Sequence, residues 1–551
     1  MNYLPLKLIV LGLCLSVNSL AKLVNVADFG ARPDDGLDDT EALRRAAAFC
    51  RSHAGTTLQL SPGRYQLRDA EAVDTERRAI SGALGRGLEV QWALFNPQRP
   101  YVTGLDFTGC RNVTIEASGA VLEVEGWMQV ISLVHTSNMT LDGLTITMKR
   151  PAATEAVITA VSDSTYDLRF DPALYQYIDS VVQGRYYFYS QTRKTFYYGN
   201  VGGTTLLKPG LVRVQSKWHP AVGDVCIIRY GGHYRPCIML KESRDVTLHN
   251  VSILSYPGMG VVGHLTENIL VDGLKVVPES GRFSSTNTDA THFTSCSGTL
   301  TLRNCTFKGN GDDCTNVHNY YWYPYPQQND LRQVEVRVEG ADLHAQSLDY
   351  PQRGDTLQAV DRKSMAVTGH YVVRRVETSE SDWKVLVTLD RPLAEKAEKV
   401  YLVNHTRFPK VFVENNTVYY HNGRAFLIKA PWSVLKDNRI EGTTLTAIKL
   451  GGELSWHEGV PVEYALIENN YIAHCGESGG DGTASCVMVT TEARETPPYV
   501  NRNITIRNNI FDSPKPICIL LHDAERVNIS HNIGLRPDGV KQVHSQGVTI
   551  Q

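Results

Sequence analysis

The stretch Glu267-Asn268-Ile269-Leu270-Val271-Asp272-Gly273-Leu274 decides the fold, because it is one copy of a pattern that recurs along the chain. Each copy combines a short strand of alternating apolar and polar residues with a corner that contains Asn or Asp-Gly. Further copies lie at residues 111–115, 137–144, 244–251, 413–418, 435–440, 467–472 and 506–511, with a weaker one at 529–533. Such repeats are typical of a β-solenoid, in which each coil buries its inward face by stacking on its neighbours. Asn suits the corners because it tolerates a left-handed backbone.

The residues that follow position 21 predict a cap at the start of the solenoid. A strand at 24–26 leads into the turn Asp34-Asp35-Gly36-Leu37-Asp38-Asp39. A helix is predicted from about Thr40, with Asp39 or Thr40 as its cap, because apolar residues recur at helical spacing from 42 to 50. A strand at 57–60 and a Pro-Gly turn follow. This order resembles the N-terminal cap of the pectate-lyase-like right-handed parallel β-helix proteins, which covers the open end of the coil.

Two long stretches interrupt the repeats, residues 151 to about 235 and 330 to about 408. Both are rich in β-branched and aromatic residues in alternating runs around a polar turn, which predicts antiparallel β inserts. We therefore predict an all-β fold, a right-handed parallel β-helix with an N-terminal cap and two inserted small antiparallel barrel-like subdomains. The predicted segments are a signal peptide at 1–21, the cap and first coils at 22–150, the first insert at 151–235, the central coils at 236–329, the second insert at 330–408 and the C-terminal coils at 409–551.

The overall composition indicates a neutral partner. Lys and Arg number 55 against 58 Asp and Glu, so the formal charge is −3 over 551 residues. This balance gives no electrostatic footprint for nucleic acid or an anionic membrane. Ten of the cysteines follow position 21 and none forms a CxxC pair. The sequence therefore offers no zinc spacing, and we predict no metal or cofactor, while disulfides and free thiols both stay open.

Residues 1–21 have the layout of a secretory signal, with Lys7, an apolar core at 8–17 and the ending Ser19-Leu20-Ala21. The mature chain is expected to begin near Lys22, in a secreted or periplasmic protein. A lipoprotein signal through Cys14 is the alternative, which the bulky Leu13 before it disfavours. No later stretch holds the roughly 18 uninterrupted apolar residues that a membrane span requires.

Three carboxylates stand between two sets of repeats. The run Asn287-Thr288-Asp289-Ala290-Thr291-His292-Phe293 is separated by a strand-like run from Gly311-Asp312-Asp313-Cys314-Thr315-Asn316-Val317-His318. A coiling chain would place Asp289 beside Asp312 and Asp313 on the neighbouring turn. Adjacent residues of a regular strand point to opposite faces, so we expect a turn or bulge after Gly309-Asn310-Gly311.

These acids have the composition of a hydrolytic centre. Cleavage of a glycosidic bond needs one carboxyl as acid and a second carboxylate that activates water or attacks directly. Like charges at close quarters raise one pKa, which keeps one carboxyl protonated as the acid. Asp289, Asp312 and Asp313 are therefore the candidate catalytic residues, whereas a solvated acidic turn or a calcium site would explain the doublet alone. The candidate substrate-binding residues are His292, Asn316, His318, Trp456, Glu458 and Arg235.

The motifs of this region resemble those of a known family. Asp289 to Phe293, the Asp312-Asp313 doublet and the run Asn316-Val317-His318 are similar to the active-site region of glycoside hydrolase family 110. The run Trp456-His457-Glu458-Gly459 is similar to a further stretch of that family. The resemblance implies an inverting, metal-independent exo-α-galactosidase that removes terminal α-1,3-linked galactose from blood group B type or linear glycans. An elongated solenoid with an exposed flank is also compatible with a homodimer.

Polygalacturonases provide the main alternative, because their signature of Asn-Thr-Asp followed by Asp-Asp-Cys is matched at 287–289 and 312–314. By analogy with them, Asp312 would be the acid, and Asp289 and Asp313 would hold the water. The downstream Gly-His-Gly is missing, and Leu427-Ile428-Lys429 lacks the Arg-Ile-Lys that would bind a uronate. A calcium-dependent β-helix polysaccharide lyase and a non-catalytic glycan-binding solenoid are the remaining alternatives.

Overall fold

A computed structural model describes residues 22–85, 101–178, 184–199, 201–230, 234–337, 350–379, 384–476, 484–495 and 499–551, so the predicted signal peptide lies outside it. Three parallel sheets of thirteen, eleven and ten strands form the body, and a typical coil contributes one strand to each. One coil consists of Glu267–Asp272, Lys275–Val276 and Thr291–Thr294. The predicted parallel β-helix is confirmed.

The thirteen strands of the first sheet are Lys22–Asn25, Thr56–Gln59, Arg111–Glu116, Ser137–Asp142, Arg244–His249, Glu267–Asp272, Ser297–Arg303, Lys410–Glu414, Trp432–Lys436, Tyr464–Glu468, Asn501–Arg507, Ala524–Ser530 and Gln546–Ile550. The eleven strands of the second, which we call the site sheet, are Thr103–Asp106, Gln129–Val134, Ile238–Lys241, Val261–His264, Thr291–Thr294, Thr315–His318, Phe426–Ile428, Ile448–Leu450, Val487–Val489, Ile519–His522 and Val540–Val543. The ten strands of the third are Gly63–Arg68, Ala120–Glu125, Thr145–Met148, Ser252–Ile253, Lys275–Val276, Thr306–Lys308, Thr417–His421, Arg439–Thr443, Tyr471–Ala473 and Ile510–Asp512.

The coils stack in register, so equivalent positions of successive coils form columns. Phe293 pairs with Val317, and Val317 pairs with Ile428. All three point into the coil and are buried in one apolar core that all three sheets share. Burial of the side chains in each such column stabilises the fold by about 25 cal/mol per Å² of apolar surface removed from water. The core therefore holds the coils together along their whole stack.

Asparagines stabilise the corners in two ways. The corner residues Asn112, Asn138 and Asn304 have positive φ of 53°, 52° and 56°, as the repeat predicted. A second set, buried or partly buried, stacks over five successive coils, and each side chain donates to the next Oδ1 at 2.9–3.0 Å. Its members are Asn416, Asn438, Asn470, Asn509 and Asn532. The same side chains also accept from backbone N–H groups and donate to backbone carbonyls, which satisfies polar groups that the corners would otherwise leave unpaired.

The cap contains the predicted helix, Thr40–Ser52, and a second helix, Ala70–Ile80, that the sequence did not predict. Asp39 is the N-cap residue of the first helix, but its carboxylate binds the backbone N–H groups of Arg32 and Gln66. Asp69 caps the second helix through the N–H of Glu71. The short helices Val26–Phe29 and Ala397–Lys399 are of the 3-10 type. No helix among the described residues is long and apolar enough to cross a membrane.

The two predicted inserts are both antiparallel. The first is a seven-stranded sheet of Thr195–Tyr197, Arg185–Ser190, Val225–Arg229, Thr154–Val161, Thr165–Arg169, Leu211–Gln215 and Thr204–Lys208. Its edge strand Thr195–Tyr197 lies against the coils at Thr417–His421 and Arg439–Thr443, which covers that edge. The second insert is a closed barrel of Tyr321–Gln327, Asp330–Arg337, Lys384–Leu389, Val367–Ser379, Thr356–Asp361 and Val400–Asn404.

We expect Asn438→Ala to lower the free energy of unfolding by about 2 kcal/mol or more, because a buried polar group left unpaired costs about 1–3 kcal/mol. The Asn438 amide binds Val413 O at 2.9 Å, and its Oδ1 accepts the Asn416 N–H at 3.0 Å. Urea denaturation followed by circular dichroism measures the loss. Asn528→Ala is the control, because Asn528 is exposed, and its effect should stay within about 0.5 kcal/mol. Equal losses would contradict a stabilising role of the buried column.

Candidate active site

The in-register stacking places two of the three acids directly above one another. Asp289 and Asp313 each stand two residues before a strand of the site sheet, and those strands pair Thr291 with Thr315. The Ala290 N–H donates to the Asp313 backbone carbonyl at 3.0 Å. Asp289 and Asp313 are 5% and 4% exposed, so two carboxylates are buried on successive coils.

A tight turn before the doublet separates the directions of Asp312 and Asp313. A Cβ at Gly311 would stand 2.2 Å from the Asn287 carbonyl oxygen, so only glycine fits this close approach. Arg229 of the first insert donates to Asn287 O at 2.5 Å and to Gly311 O at 2.8 Å. The guanidinium therefore joins the turns of both coils from outside the solenoid. Asp312 stays partly exposed, whereas Asp313 is buried.

Asp312 faces the first insert. Burial and the nearby Asp289 raise its pKa to about 6, although Arg229 and Arg424 oppose this shift. The negative charge of Asp312 favours the protonated forms of two insert residues, Arg185 and Tyr198, both of which are solvent-exposed. The Tyr198 hydroxyl forms hydrogen bonds with Asn422 and Thr444 on the following coils. Asp312 thus meets solvent beside an exposed aromatic ring.

Asp313 faces the next coil instead. The Arg424 backbone N–H donates to its Oδ1 at 2.6 Å, and the Arg424 guanidinium lies 3.4 Å from its Oδ2. Burial raises the pKa of Asp313 to about 7 and raises the pKa of Asp289 well above its usual value, while Asp312 adds to the first shift and Asp313 adds to the second. Arg424 stabilises the carboxylate form of Asp313 directly. Of these two acids, Asp313 is therefore the better placed to stay ionised.

Two imidazoles extend from Asp289 away from the doublet. His292 Nδ1 lies 2.7 Å from Asp289 Oδ2, and His292 Nε2 lies 2.8 Å from His318 Nε2. His318 Nδ1 is 3.2 Å from the backbone carbonyl of Asn319. Burial lowers the pKa of His292 to about 4 and lowers the pKa of His318 well below its usual value. His318 is 1% exposed and stands behind His292, so it has no open face for a sugar.

Behind the histidines lies a buried ionic cluster built around Lys429. Its ammonium binds Glu453 at 2.9 Å and also binds Glu458, while its side chain is 0% exposed. Lys449 binds Glu453 at 2.6 Å and Glu492 at 2.9 Å, and Arg424 lies 3.4 Å from Glu453. Burying any of these charges without a partner would cost several kcal/mol of folding free energy. Each carboxylate of the cluster is therefore paired with a cation. The cluster joins the turn from Glu453 to Glu458 to the strand of the site sheet directly before Lys429 and to the strand that contains Lys449.

The predicted substrate-binding residues fall into different environments. Glu458 is 8% exposed and ion-paired with Lys429, and Asn316 is 8% exposed beside His292 in the register. Trp456 is 55% exposed, in the turn between Glu453 and Glu458. Trp456 is therefore available to a ligand, whereas Glu458 has its carboxylate engaged within the protein.

Arg235 lies away from the acids along the stack. It precedes the strand Ile238–Lys241, which is separated from Thr315–His318 by two strands of the site sheet. At about 4.8 Å per strand this places it roughly 14 Å along the axis from Asp313. Its guanidinium lies over the Tyr101 ring at 3.8 Å. Residues 231–233 of the motif that suggested Arg235 lie outside the described residues.

Sequence reasoning missed Arg229, Arg424, Lys449 and Glu453, and treated Lys429 only as part of an incomplete uronate motif. The sequence does carry one signal for the lysines: Lys429 directly follows a short apolar strand run, and Lys449 interrupts another. A charged residue in such a run is expected to be buried and therefore to need a charged partner. Arg229 had no local signal, since its partners stand 58 and 82 residues away. Tyr198 likewise reaches the site only because the insert folds back onto the coils.

Comparisons with known proteins place this geometry in context. No family model matches the chain. The sequence is 27% identical to "Alpha-1,3-galactosidase A" of Shewanella woodyi, over 90% of this chain and 83% of that protein. It is 24% identical to "Alpha-1,3-galactosidase B" of Bacteroides thetaiotaomicron, over 100% of this chain and 93% of that protein. It is 26% identical to "Alpha-1,3-galactosidase A" of Bacteroides fragilis, over 89% and 83% respectively.

Among solved structures, the A-module of a mannuronan C-5 epimerase from Azotobacter vinelandii aligns with a TM-score of 0.42 and 11% identity, over 96% of this chain and 99% of that chain. This likeness is too weak to add to the fold described above. The sequence similarity is stronger and spans the cap, the coils and both inserts. The chain is a homologue of the bacterial α-1,3-galactosidases over most of its length, which confirms the resemblance that its motifs predicted.

Proposed function

We propose that the protein is an exo-acting glycoside hydrolase that removes terminal α-1,3-linked galactose from blood group B type glycans, linear Galα1-3Gal, or both. The observation that carries this proposal is the stack of Asp289 and Asp313 beside Asp312, in which one carboxyl faces solvent and another faces Arg424. Neighbouring carboxyls in different surroundings can take the separate acid and base roles that glycoside hydrolysis needs. Homology to α-1,3-galactosidases supports the choice of galactose.

In the proposed mechanism, Asp312 is the acid and Asp313 the base. Asp312 gives its proton to the glycosidic oxygen as the bond from that oxygen to the anomeric carbon breaks. A water molecule held by Asp289 and Asp313 attacks the anomeric carbon from the opposite face and gives a proton to Asp313. Galactose then leaves with inverted configuration. No step requires a metal or a cofactor.

The buried cations beside the acids are engaged within the protein, which favours a neutral sugar over a uronate. An anionic substrate would need a cation free to bind its carboxylate. Lys429 is enclosed by Glu453 and Glu458, Arg424 binds Asp313, and Arg229 binds two backbone carbonyls. Arg185, which is exposed near Asp312, is the cation that a uronate would reach, so polygalacturonate belongs in the substrate panel.

Two exposed aromatic rings provide faces on which a sugar can stack. Trp456 stands in the turn that ends at Glu458, and Tyr198 is 50% exposed beside Asp312. Because Asp312 is the proposed acid, Tyr198 lies on the side of the leaving group. We also propose that the signal at 1–21 exports the protein to the periplasm or the medium, where such glycans are found.

We expect Asp312→Asn and Asp313→Asn each to lower kcat by at least about 10²-fold, the usual value of acid or base catalysis, and Asp289→Asn, whose amide oxygen can still accept from the water, to lower kcat by less. The measurement is release of sugar from Galα1-3Gal, the fucosylated B trisaccharide and polygalacturonate, with the product and its anomer identified by NMR. The first product should be β-galactose. Asp142→Asn, on the outer surface of the first sheet, is the matched control.

Each alternative function gives its own result in the same experiment. Retained anomeric configuration would overturn the inverting mechanism even if galactose appears. An unsaturated product that a chelator abolishes would indicate a calcium-dependent lyase. Glycan affinity without sugar release would indicate a binding module, and full activity in all three folded variants would overturn the site.

The raised pKa of Asp312 predicts a dependence of stability on pH. Its folded pKa of about 6 lies above the ordinary 3.8, so folding takes up a proton and wild-type stability falls as the pH rises between these values. Asp312→Asn lacks this ionisation and should be more stable than wild type at pH 7, by about 3 kcal/mol. The difference should shrink towards pH 4, as measured by urea denaturation. A constant difference across this range would contradict the assignment.

We expect Tyr198→Ala to raise KM roughly tenfold, which corresponds to about 1.4 kcal/mol of lost contact, with a smaller effect on kcat. Tyr198→Phe keeps the ring but loses the hydrogen bonds to Asn422 and Thr444, so its effect should be smaller. Tyr325→Ala is the control, because this tyrosine is 38% exposed on the barrel. Initial rates over a range of Galα1-3Gal concentrations give both constants. Unchanged KM in Tyr198→Ala would remove the ring from the sugar site.

A further inference from the structure

The hydrogen-bonded chain from Asp289 through the two histidines ends on an atom that can only accept. The Asn319 backbone carbonyl has no proton, so His318 Nδ1, 3.2 Å away, must donate to it. His318 Nε2 faces His292 Nε2 at 2.8 Å, and one of these two atoms must carry the proton between them. His292 Nδ1 and Asp289 Oδ2, 2.7 Å apart, must hold another.

Counting protons along this chain gives a definite result. Three hydrogen bonds need three protons, and two neutral imidazoles supply two of them. A third proton must therefore reside on the set formed by Asp289, His292 and His318. This proton is carried either as an imidazolium or as the carboxylic acid of Asp289. The set is neutral overall in each case, rather than singly negative.

The surroundings decide between these forms. Burial disfavours an imidazolium at either histidine, and Lys429 and His264 disfavour one at His318. Glu458 and Asp313 favour a positive charge on His292, but burial outweighs them and lowers its pKa to about 4. Glu458 Oε1 lies 3.6 Å from His318 Nε2, beyond hydrogen-bond distance, and its carboxylate is paired with Lys429.

Charges near Asp289 favour its protonated form. Asp313 on the next coil and Glu458 both disfavour a negative charge there, while Lys429 and Arg424 oppose them. Arg424 binds Asp313 directly, through its N–H at 2.6 Å, so the negative charge of the pair is more stable on Asp313 than on Asp289.

We infer that Asp289 is held as a neutral carboxylic acid whose proton is donated to His292 Nδ1, with His292 and His318 as positioning residues that fix this state. His292 then donates through Nε2 to His318 Nε2, and His318 donates through Nδ1 to Asn319. This inference deepens the proposed function, on which its mechanistic meaning rests. It differs from the expectation that both histidines contact the sugar.

The protonated state gives Asp289 and Asp313 different parts in the reaction. A neutral Asp289 cannot take a proton from water, but its Oδ1 accepts a hydrogen bond from that water. Asp313, ionised beside Arg424, is then the single base that receives the water proton. Two ionised carboxylates on successive coils would repel each other. This repulsion would raise the pKa of Asp313 and make the ionised form of the base less stable.

The proton count is tested by net charge, without substrate. We expect Asp289→Asn to leave the net charge at pH 7 unchanged, as measured by capillary electrophoresis, because a neutral acid is replaced by a neutral amide. Asp142→Asn is the control, since its exposed carboxylate pairs with His249 at 2.8 Å as Asp289 pairs with His292, and it should gain one positive unit. A gain of one unit in Asp289→Asn would overturn the inference.

Infrared difference spectroscopy then locates the proton. The wild-type protein should show the carbonyl stretch of a protonated carboxylic acid at pH 7 that Asp289→Asn lacks. An unchanged net charge without this band would place the proton on an imidazole and overturn the assignment to Asp289. Neither measurement needs activity, so failure here is separate from failure of the proposed galactosidase function.

Kinetics test the positioning role. His318→Leu removes the acceptor for His292, which is then free to donate to an ionised Asp289. The acid limb of the kcat profile, set by ionisation of Asp313, should move upward by roughly one pH unit because a second negative charge now stands beside it. His249→Asn should leave the limb in place. A lower kcat with an unmoved limb in folded His318→Leu would show a merely structural role for His318.

Discussion

The in-register spacing of a parallel β-helix is the constraint on which the site depends. Equivalent residues of successive coils stand about one strand spacing, 4.8 Å, apart, and the pairing of Thr291 with Thr315 forces Asp289 and Asp313 into one column. Two ionised carboxylates at that distance, both nearly buried, would be strongly destabilised. The neighbouring groups are best understood as the means by which the protein offsets this cost while it keeps one negative charge.

The compensating groups come from three directions. Arg424, on the next coil, lies against Asp313, and Arg229 reaches in from the first insert. The turn from Glu453 to Glu458 brings carboxylates to Lys429 and pairs with residues at the start of the barrel, since the Gly459 N–H donates to Asn319 O at 2.9 Å. The first insert therefore contributes directly to the site, because Arg229 binds backbone carbonyls of both acid-bearing turns.

Much of this arrangement follows from the sequence, and the exceptions share one cause. The repeat around Asn268 predicts the coils, and the distance along the chain from Asp289 to the doublet predicts their stacking, because both depend on local periodicity. The helix Ala70–Ile80 was missed because it lies outside the repeats. Arg229 and Tyr198 belong to an insert whose docking no periodicity describes. The ion pair of Glu458 was missed because its cation, Lys429, stands 29 residues earlier.

The Asp312-Asp313 doublet shows how adjacent residues acquire different chemistry. Gly311 allows a close approach to the preceding coil, so the backbone turns and the two side chains leave in different directions. Asp312 meets the insert and solvent, with a pKa raised to about 6, whereas Asp313 is buried against Arg424, with a pKa raised to about 7. In the proposed mechanism, a single carboxyl in either place would supply only an acid or only a base. Asp289 stands in the same column, bonded to the two imidazoles, and adds an uncharged hydrogen-bonding group beside the doublet. The proposed role of each carboxyl therefore follows from the neighbours that its oxygens contact.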